Sequence, residues 1–160
     1  MRHKKRLIFL VLIIFAFTMP ILALENEEKS NKIIKEFILK VYENYQQNKF
    51  VEVYEFMHPD IKDVLNKEEY LKFQKENTDK YNLKITEVEV LEINKLEEWV
   101  EPFNKIIKEK DTNELFEIKI KYKTIYKSAG NEKEKIIEKK TYVARDHNNN
   151  YLLWDPNIIK

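Results

Sequence analysis

Apolar residues recur every three or four positions in the first third of the chain and every second position in the last third. Ile33, Ile34, Phe37, Ile38, Val41, Tyr42 and Tyr45 form one stripe, which predicts a helix with Ser30 as its N-cap. Gln46-Gln47-Asn48-Lys49 interrupts the stripe. Phe50, Val53, Tyr54 and Met57 resume it on a shorter helix that ends at His58-Pro59, because proline disfavours helix in the residue before it. Ile61, Val64 and Leu65 supply a further turn or two. Asn66 with Glu69 then reads as a capping pair for a helix carrying Tyr70, Leu71 and Phe73.

The period changes after Leu83. Leu83 and Ile85 alternate with polar residues, and Val88 and Val90 take over the apolar side one residue out of phase, so a bulge is expected near Thr86–Glu87 in a long bent strand. Phe116, Ile118, Ile120, Tyr122, Thr124 and Tyr126 alternate with charged residues in the clearest strand of the chain. Ser128-Ala129-Gly130-Asn131 turns it, with the single glycine where a left-handed residue is needed. A four-residue loop there sets Lys127 opposite Glu132 and Lys121 opposite Glu138 on one face, with Tyr122 against Ile137 and Phe116 against Val143 on the other. Asn148-Asn149-Asn150 makes the next turn, and Tyr151-Leu152-Leu153-Trp154 a short closing strand. The fold class is therefore α+β: N-terminal helices packed on a curved antiparallel sheet.

The first 24 residues stand apart. Arg2-His3-Lys4-Lys5-Arg6 precedes an unbroken apolar run from Leu7 to Phe17, the pattern of a segment addressed to the secretory machinery. Two fates are open for it: cleavage after Ala23, or retention of Leu7–Leu24 as a membrane anchor. Either one puts residues 25–160 outside the cytoplasmic membrane, secreted or anchored. The whole chain carries a net charge of +1, but without the leader 25 basic residues face 28 acidic ones, which argues against a nucleic-acid partner. The absence of cysteine removes disulfides, thiolate metal sites and lipid attachment through cysteine. Charged residues at 36% with one glycine predict a surface rich in ion pairs.

Helices first and an antiparallel sheet second is the order of the cystatin-like folds typified by nuclear transport factor two. Within them, Asn48-Lys49-Phe50-Val51-Glu52-Val53-Tyr54, Asn66-Lys67-Glu68-Glu69-Tyr70 and Tyr151-Leu152-Leu153-Trp154-Asp155-Pro156-Asn157-Ile158-Ile159 resemble the N-terminal, non-catalytic domain of penicillin-binding transpeptidases of the methicillin-resistance type. That domain ends in a Trp-Asp-Trp-x-Pro-x-x-Ile pattern, whose first tryptophan is Tyr151 or Leu152 in this chain. The resemblance implies a cone-shaped scaffold and an accessory role beside cell-wall synthesis proteins. It does not carry the acyl-transfer reaction across. Ser30 and Ser128 are followed at the third position by Ile33 and Asn131 instead of lysine, no Lys-Thr-Gly is present, and the chain stops at Lys160 where the catalytic portion would begin.

Several clusters invite a chemical reading. Tyr54, Tyr122 and Trp154 are the candidates to line an apolar ligand cavity inside the cone. The simpler reading of Trp154-Asp155-Pro156 is a core cap, a turn and a strand stop. His58, Asp60 and Asp63 suggest a metal or acid–base group, but His58 precedes Pro59 and Asp60 suits the first turn of the next helix, so no metal or other cofactor is expected. Cystatin-like isomerases need an aspartate base inside the cone, and the apolar strand faces carry none, so no catalytic residue is assigned. Lys119, Lys121, Lys123 and Lys127 form a basic stripe that Glu132 and Glu138 are expected to neutralise. In segment 95–112, Leu96, Trp99, Val100, Phe103 and Ile107 fall at helical spacing. Either the segment folds back on the sheet, or Trp99 and Phe103 are offered to a protein partner in the cell envelope.

Overall fold

A strand of alternating apolar and charged residues lays one face on a core and the other in water, and the central hairpin of this protein is built that way. In the computed structural model, which describes residues 27–108, 110, 114–147 and 149–159, the chain divides into Met1–Ile33 and Ile34–Lys160. Of the first unit, residues 27–33 are helical, so Ser30 lies within a helix instead of capping one. The leader expected over residues 1–24 falls outside the described residues. Among those described, no helix is long and apolar enough to cross a membrane.

The second unit begins with helix α1 (34–46), whose stripe is buried as the periodicity predicts: Ile34, Ile38, Val41 and Tyr42 are core residues. Asn48, at φ +56°, ends it. Helix α2 (Phe50–Glu55) is shorter than its apolar pattern. Met57 leaves the helix to form a parallel bridge with Leu152, where the Leu152 N–H donates to the Phe56 carbonyl at 2.7 Å and the His58 N–H to the Leu152 carbonyl at 3.2 Å. His58 thus does not close the preceding helix. It is the N-cap of α3 (Pro59–Val64), its Nδ1 accepting from the Asp60 N–H at 3.2 Å with Pro59 in the first helical position. Asn66 caps α4 (Lys67–Tyr81), its Oδ1 accepting from the Glu68 and Glu69 N–H groups, and Asn82 ends it in the left-handed conformation.

Four antiparallel strands follow in the order β1 (Lys84–Leu96), β2 (Glu114–Ser128), β3 (Asn131–Arg145) and β4 (Asn150–Leu153). The phase change in β1 is a real irregularity: the pairing slips between Thr86 and Glu89 around Glu87, at φ +52°, and again between Val90 and Glu92. The β2–β3 register matches the four pairs expected of it, Lys127 with Glu132, Lys121 with Glu138, Tyr122 with Ile137 and Phe116 with Val143. The loop is tighter than four residues, since Ser128 pairs with Asn131 and only Ala129 and Gly130 turn, both at positive φ.

Phe116, Ile118, Ile120, Tyr122 and Thr124 of β2, with Val143 and Leu152, point to the helices and close one core with α1, α2 and Tyr70. Segment 99–107 covers part of the opposite face. Its helix α5 (Phe103–Ile106) is a single turn, and Phe103 and Ile107 are buried with Leu115 and Ala144. This is the fold-back arrangement, and it removes Phe103 as a surface anchor: the residue is 3% exposed, its ring 5.6 Å from that of Tyr142. Trp99 is half-buried against the same core. Residues 109, 111 and 112 of the expected segment lie outside the described residues.

Ala129 and Gly130 set the hairpin register, and no atom lies near a Cβ added at Gly130, so a side chain there meets backbone strain alone. Gly130→Ala is expected to lower stability by about 1 kcal/mol, and Ala129→Asn to raise it, because asparagine tolerates positive φ better than alanine. Urea unfolding of the two variants checks both signs.

Candidate functional site

Tyrosines occupy the interior between the helices and the sheet. Helix α1 presents Tyr42 and Tyr45 one turn apart; the Asn66 cap sets the start of α4 so that Tyr70 points inward and is fully buried. The Tyr45 and Tyr70 hydroxyls meet at 3.3 Å. Tyr70 also stacks edge-on against Trp154, with centroids 5.3 Å apart, and lies 5.7 Å from Tyr54. Tyr42 bridges Tyr45 and Tyr122 at 5.6 Å each, and Trp154 adds Phe73 at 6.1 Å. Tyr54 donates its hydroxyl to the Leu65 carbonyl at 2.9 Å.

Among the described residues the three cavity candidates are therefore joined through other rings. Tyr70 stands between Tyr54 and Trp154, and Tyr42 with Tyr45 links Tyr122 to them. Burial raises the Tyr45 phenol to about 12, against the hydrogen bond shared with Tyr70, which lowers it. Burial also holds Tyr70 and Tyr42 well above the usual phenol range, and Tyr122 above it. These groups stay neutral at physiological pH and donate or accept hydrogen bonds; none is a base. Among the described residues the buried polar side chains are His58 and Thr124, so no aspartate stands in this interior.

The His58–Asp60–Asp63 cluster resolves differently. The Asp60 carboxylate accepts from the Lys108 N–H at 2.8 Å and pairs with the Lys108 ammonium at 3.3 Å, which also pairs with Asp63 at 2.8 Å. Burial opposes ionisation of Asp60, but the Lys108 bonds outweigh it and hold the carboxyl below its ordinary value. The cluster clips segment 99–108 to α3. Lys108 was invisible to sequence reasoning, because a lysine in a long loop has no periodicity to place it.

The basic stripe on β2 lies on the outer sheet face, and the described ion pairs neutralise Lys119 and Lys123 there, with Glu138 as expected but with Glu134 and Glu87 in place of Glu132. Lys119 meets Glu138 at 3.4 Å, Lys123 meets Glu134 at 2.7 Å and Glu87 at 3.5 Å, and Lys140 of β3 meets Glu117 at 3.0 Å. The contacts run diagonally: Glu138 faces Lys121 in register but pairs with Lys119. Among the described residues three surface grooves lie outside the tyrosine interior, one of them, of about 450 Å³, beside Trp99, Leu96, Lys110 and Leu115. A second, of about 350 Å³, runs between α2 and α4 over Phe50, Val51 and Leu71; the third, of about 270 Å³, adjoins Phe103, Lys139, Tyr142, Trp154 and Ile158.

Two consequences of the tyrosine pair are measurable. Tyr45→Phe leaves the buried Tyr70 hydroxyl without that partner and is expected to cost about 1–3 kcal/mol at neutral pH. In the unfolded chain the Tyr45 phenol ionises near 10, while folding holds its proton to about 12. The folded state thus binds more protons across this interval, and stability falls as pH rises from 10 towards 12. Thermal unfolding across that range is expected to show a shallower alkaline decline for Tyr45→Phe than for the parent.

No family model matches the chain, and no match appears among curated proteins.

Proposed function

We propose that this chain is an exported, non-catalytic interaction domain of cystatin-like architecture, working at the outer face of a bacterial cytoplasmic membrane beside proteins of cell-wall synthesis. The carrying observation is the filled interior. Where a cystatin-like enzyme or carrier keeps an open cone, this one holds Tyr42, Tyr45, Tyr54, Tyr70, Tyr122 and Trp154 in ring or hydroxyl contact, with the Tyr45 and Tyr70 hydroxyls paired and Tyr54 donating to the Leu65 carbonyl. A filled interior leaves the surface to carry function. The cystatin-like reading is supported by helices on one face of a bulged antiparallel meander, and the export reading by the basic head and apolar run of the first 24 residues.

One observation favours a second reading, binding of a small apolar ligand. The α2–α4 groove of about 350 Å³ is walled by Phe50, Val51 and Leu71, and Val51 is 46% exposed. This places the ligand outside the cone, away from Tyr54, Tyr122 and Trp154.

A fusion of alkaline phosphatase to the C-terminus is expected to be active in intact bacteria only if the chain is exported; an inactive, stable fusion overturns that part. The apolar dye 1-anilinonaphthalene-8-sulfonate separates the two readings. An interaction domain with a filled interior is expected to give no saturable fluorescence rise. A saturable rise abolished by Val51→Glu establishes the groove as a ligand site and overturns the first reading.

A further inference from the structure

The sheet has two open edges, and they differ. The β1 edge is broken by the two slips in pairing and by Glu87 at positive φ, devices that bend an edge away from new partners. The β3 edge has no such break. Its pairing with β2 is continuous from Ser128–Asn131 to Glu114–Arg145, while on its other side β4 covers only Tyr142–Arg145. Among the described residues, no strand pairs with the outer side of 131–141. A segment of that length exceeds a typical strand and presents a row of backbone donors and acceptors in line with β4.

Its side chains carry a further signal. Lys133, Lys135, Ile137 and Lys139 share the face of Tyr122 and Thr124, that is, the helix side of the sheet. The ion pairs of the outer face use Glu134, Glu138 and Lys140, but none of the described pairs uses Lys133, Lys135 or Lys139. The Lys139 ammonium lies over the Tyr42 and Tyr122 rings at 5.8 and 5.7 Å, which fixes the inner end of the row. Apolar contact is offered along the same edge: Ile136, on the outer face, is 64% exposed, and where β4 stops the groove of about 270 Å³ opens next to Ile158, itself 55% exposed.

We propose that the 131–141 edge of β3 receives an extended acidic segment of a partner protein as an added strand, collinear with β4, its carboxylates alternating on the helix side over Lys133, Lys135 and Lys139. This rests on the interaction-domain reading. Charge decides the occupant. A second copy added antiparallel about Ile137, with both helical layers on one side, sets Lys135 opposite Lys139 on the helix side, although Glu134 then faces Lys140 on the outer side; about Ile136 it sets Lys133 opposite Lys139 and Glu134 opposite Glu138, with Glu132 facing Lys140. Like charges directly opposite destabilise a pair of strands, so the lysines that keep copies apart are the ones that admit an acidic strand.

The test uses the full chain in detergent micelles and a short end-capped peptide alternating glutamate with threonine. Binding by fluorescence anisotropy, with slowed amide exchange over residues 131–141 and none over β1, is expected. The triple reversal Lys133→Glu, Lys135→Glu, Lys139→Glu is expected to weaken binding at least tenfold, and the softer Lys133→Gln, Lys135→Gln pair to weaken it by a smaller factor if the triple variant fails to fold. Lys121→Glu on the outer face is the control and is expected to change it little. Equal binding of a control peptide with lysine in place of each glutamate, protection outside 131–141, or unchanged affinity in both edge variants overturns the proposal. So does self-association of the chain through this edge, or attachment to phosphatidylglycerol vesicles that the glutamate peptide does not displace. A chain that ignores both the peptide and the apolar dye loses the edge proposal but keeps the interaction-domain reading; saturable dye binding at the α2–α4 groove overturns that reading itself.

Discussion

The pairing of β2 with β3 about Ala129-Gly130 is the constraint on which the other features depend. Strand side chains alternate, so a slip of one residue would send Ile118, Ile120 and Tyr122 to water and Lys119, Lys121 and Lys123 into the core. Two residues at positive φ leave no slack for that slip. Once the register is held, Tyr122 reaches Tyr42, the outer lysines reach Glu134 and Glu138, and Lys133, Lys135 and Lys139 are committed to the helix side. Surface ion pairs of this kind contribute little energy singly. Their larger effect is to make the wrong register costly.

That same alternation explains why so much of the sheet was legible from the chain. Opposite charges on one face and apolar pairs on the other leave one alignment of 116–126 with 132–143, and the loss of phase between Ile85 and Val88 has no explanation but an extra residue. The helical stripe from Ile34 to Tyr45 was legible for the same reason, as was the Asn66 cap. What escaped were features decided by distant residues. Phe56 and Met57 fit a helix locally, yet α2 stops at Glu55 because Leu152 claims the backbone groups of Phe56 and His58. Ser30 looks like a cap only if the helix has no turn before it, and residues 27–29 provide one.

The site was harder to read than the fold. Tyr54, Tyr122 and Trp154 do converge, as their positions on an apolar face suggest, but aromatic residues on an inner face fill space as readily as they line it. The deciding residues were Tyr45 and Tyr70, 25 positions apart and on separate helices. A tyrosine in an apolar stripe announces a hydroxyl that needs a partner, without saying which. Phe103 shows the converse: an aromatic in a long loop resembles an anchor for another protein until the sheet has buried it against Tyr142.

A filled interior and an uncovered edge are connected. The tyrosines let α1, α2 and α4 pack closely over β2, and β4 is only four residues long, so cover ends where β3 runs on alone. An edge strand of this length would ordinarily be blunted by bulges, as β1 is, or by charge. β3 uses charge, but of one sign on its helix side, with Ile137 between Lys135 and Lys139. Mixed charge would repel no partner in particular; a row of lysines repels copies of itself and attracts carboxylates. The protection of this edge and its selectivity therefore come from the same side chains.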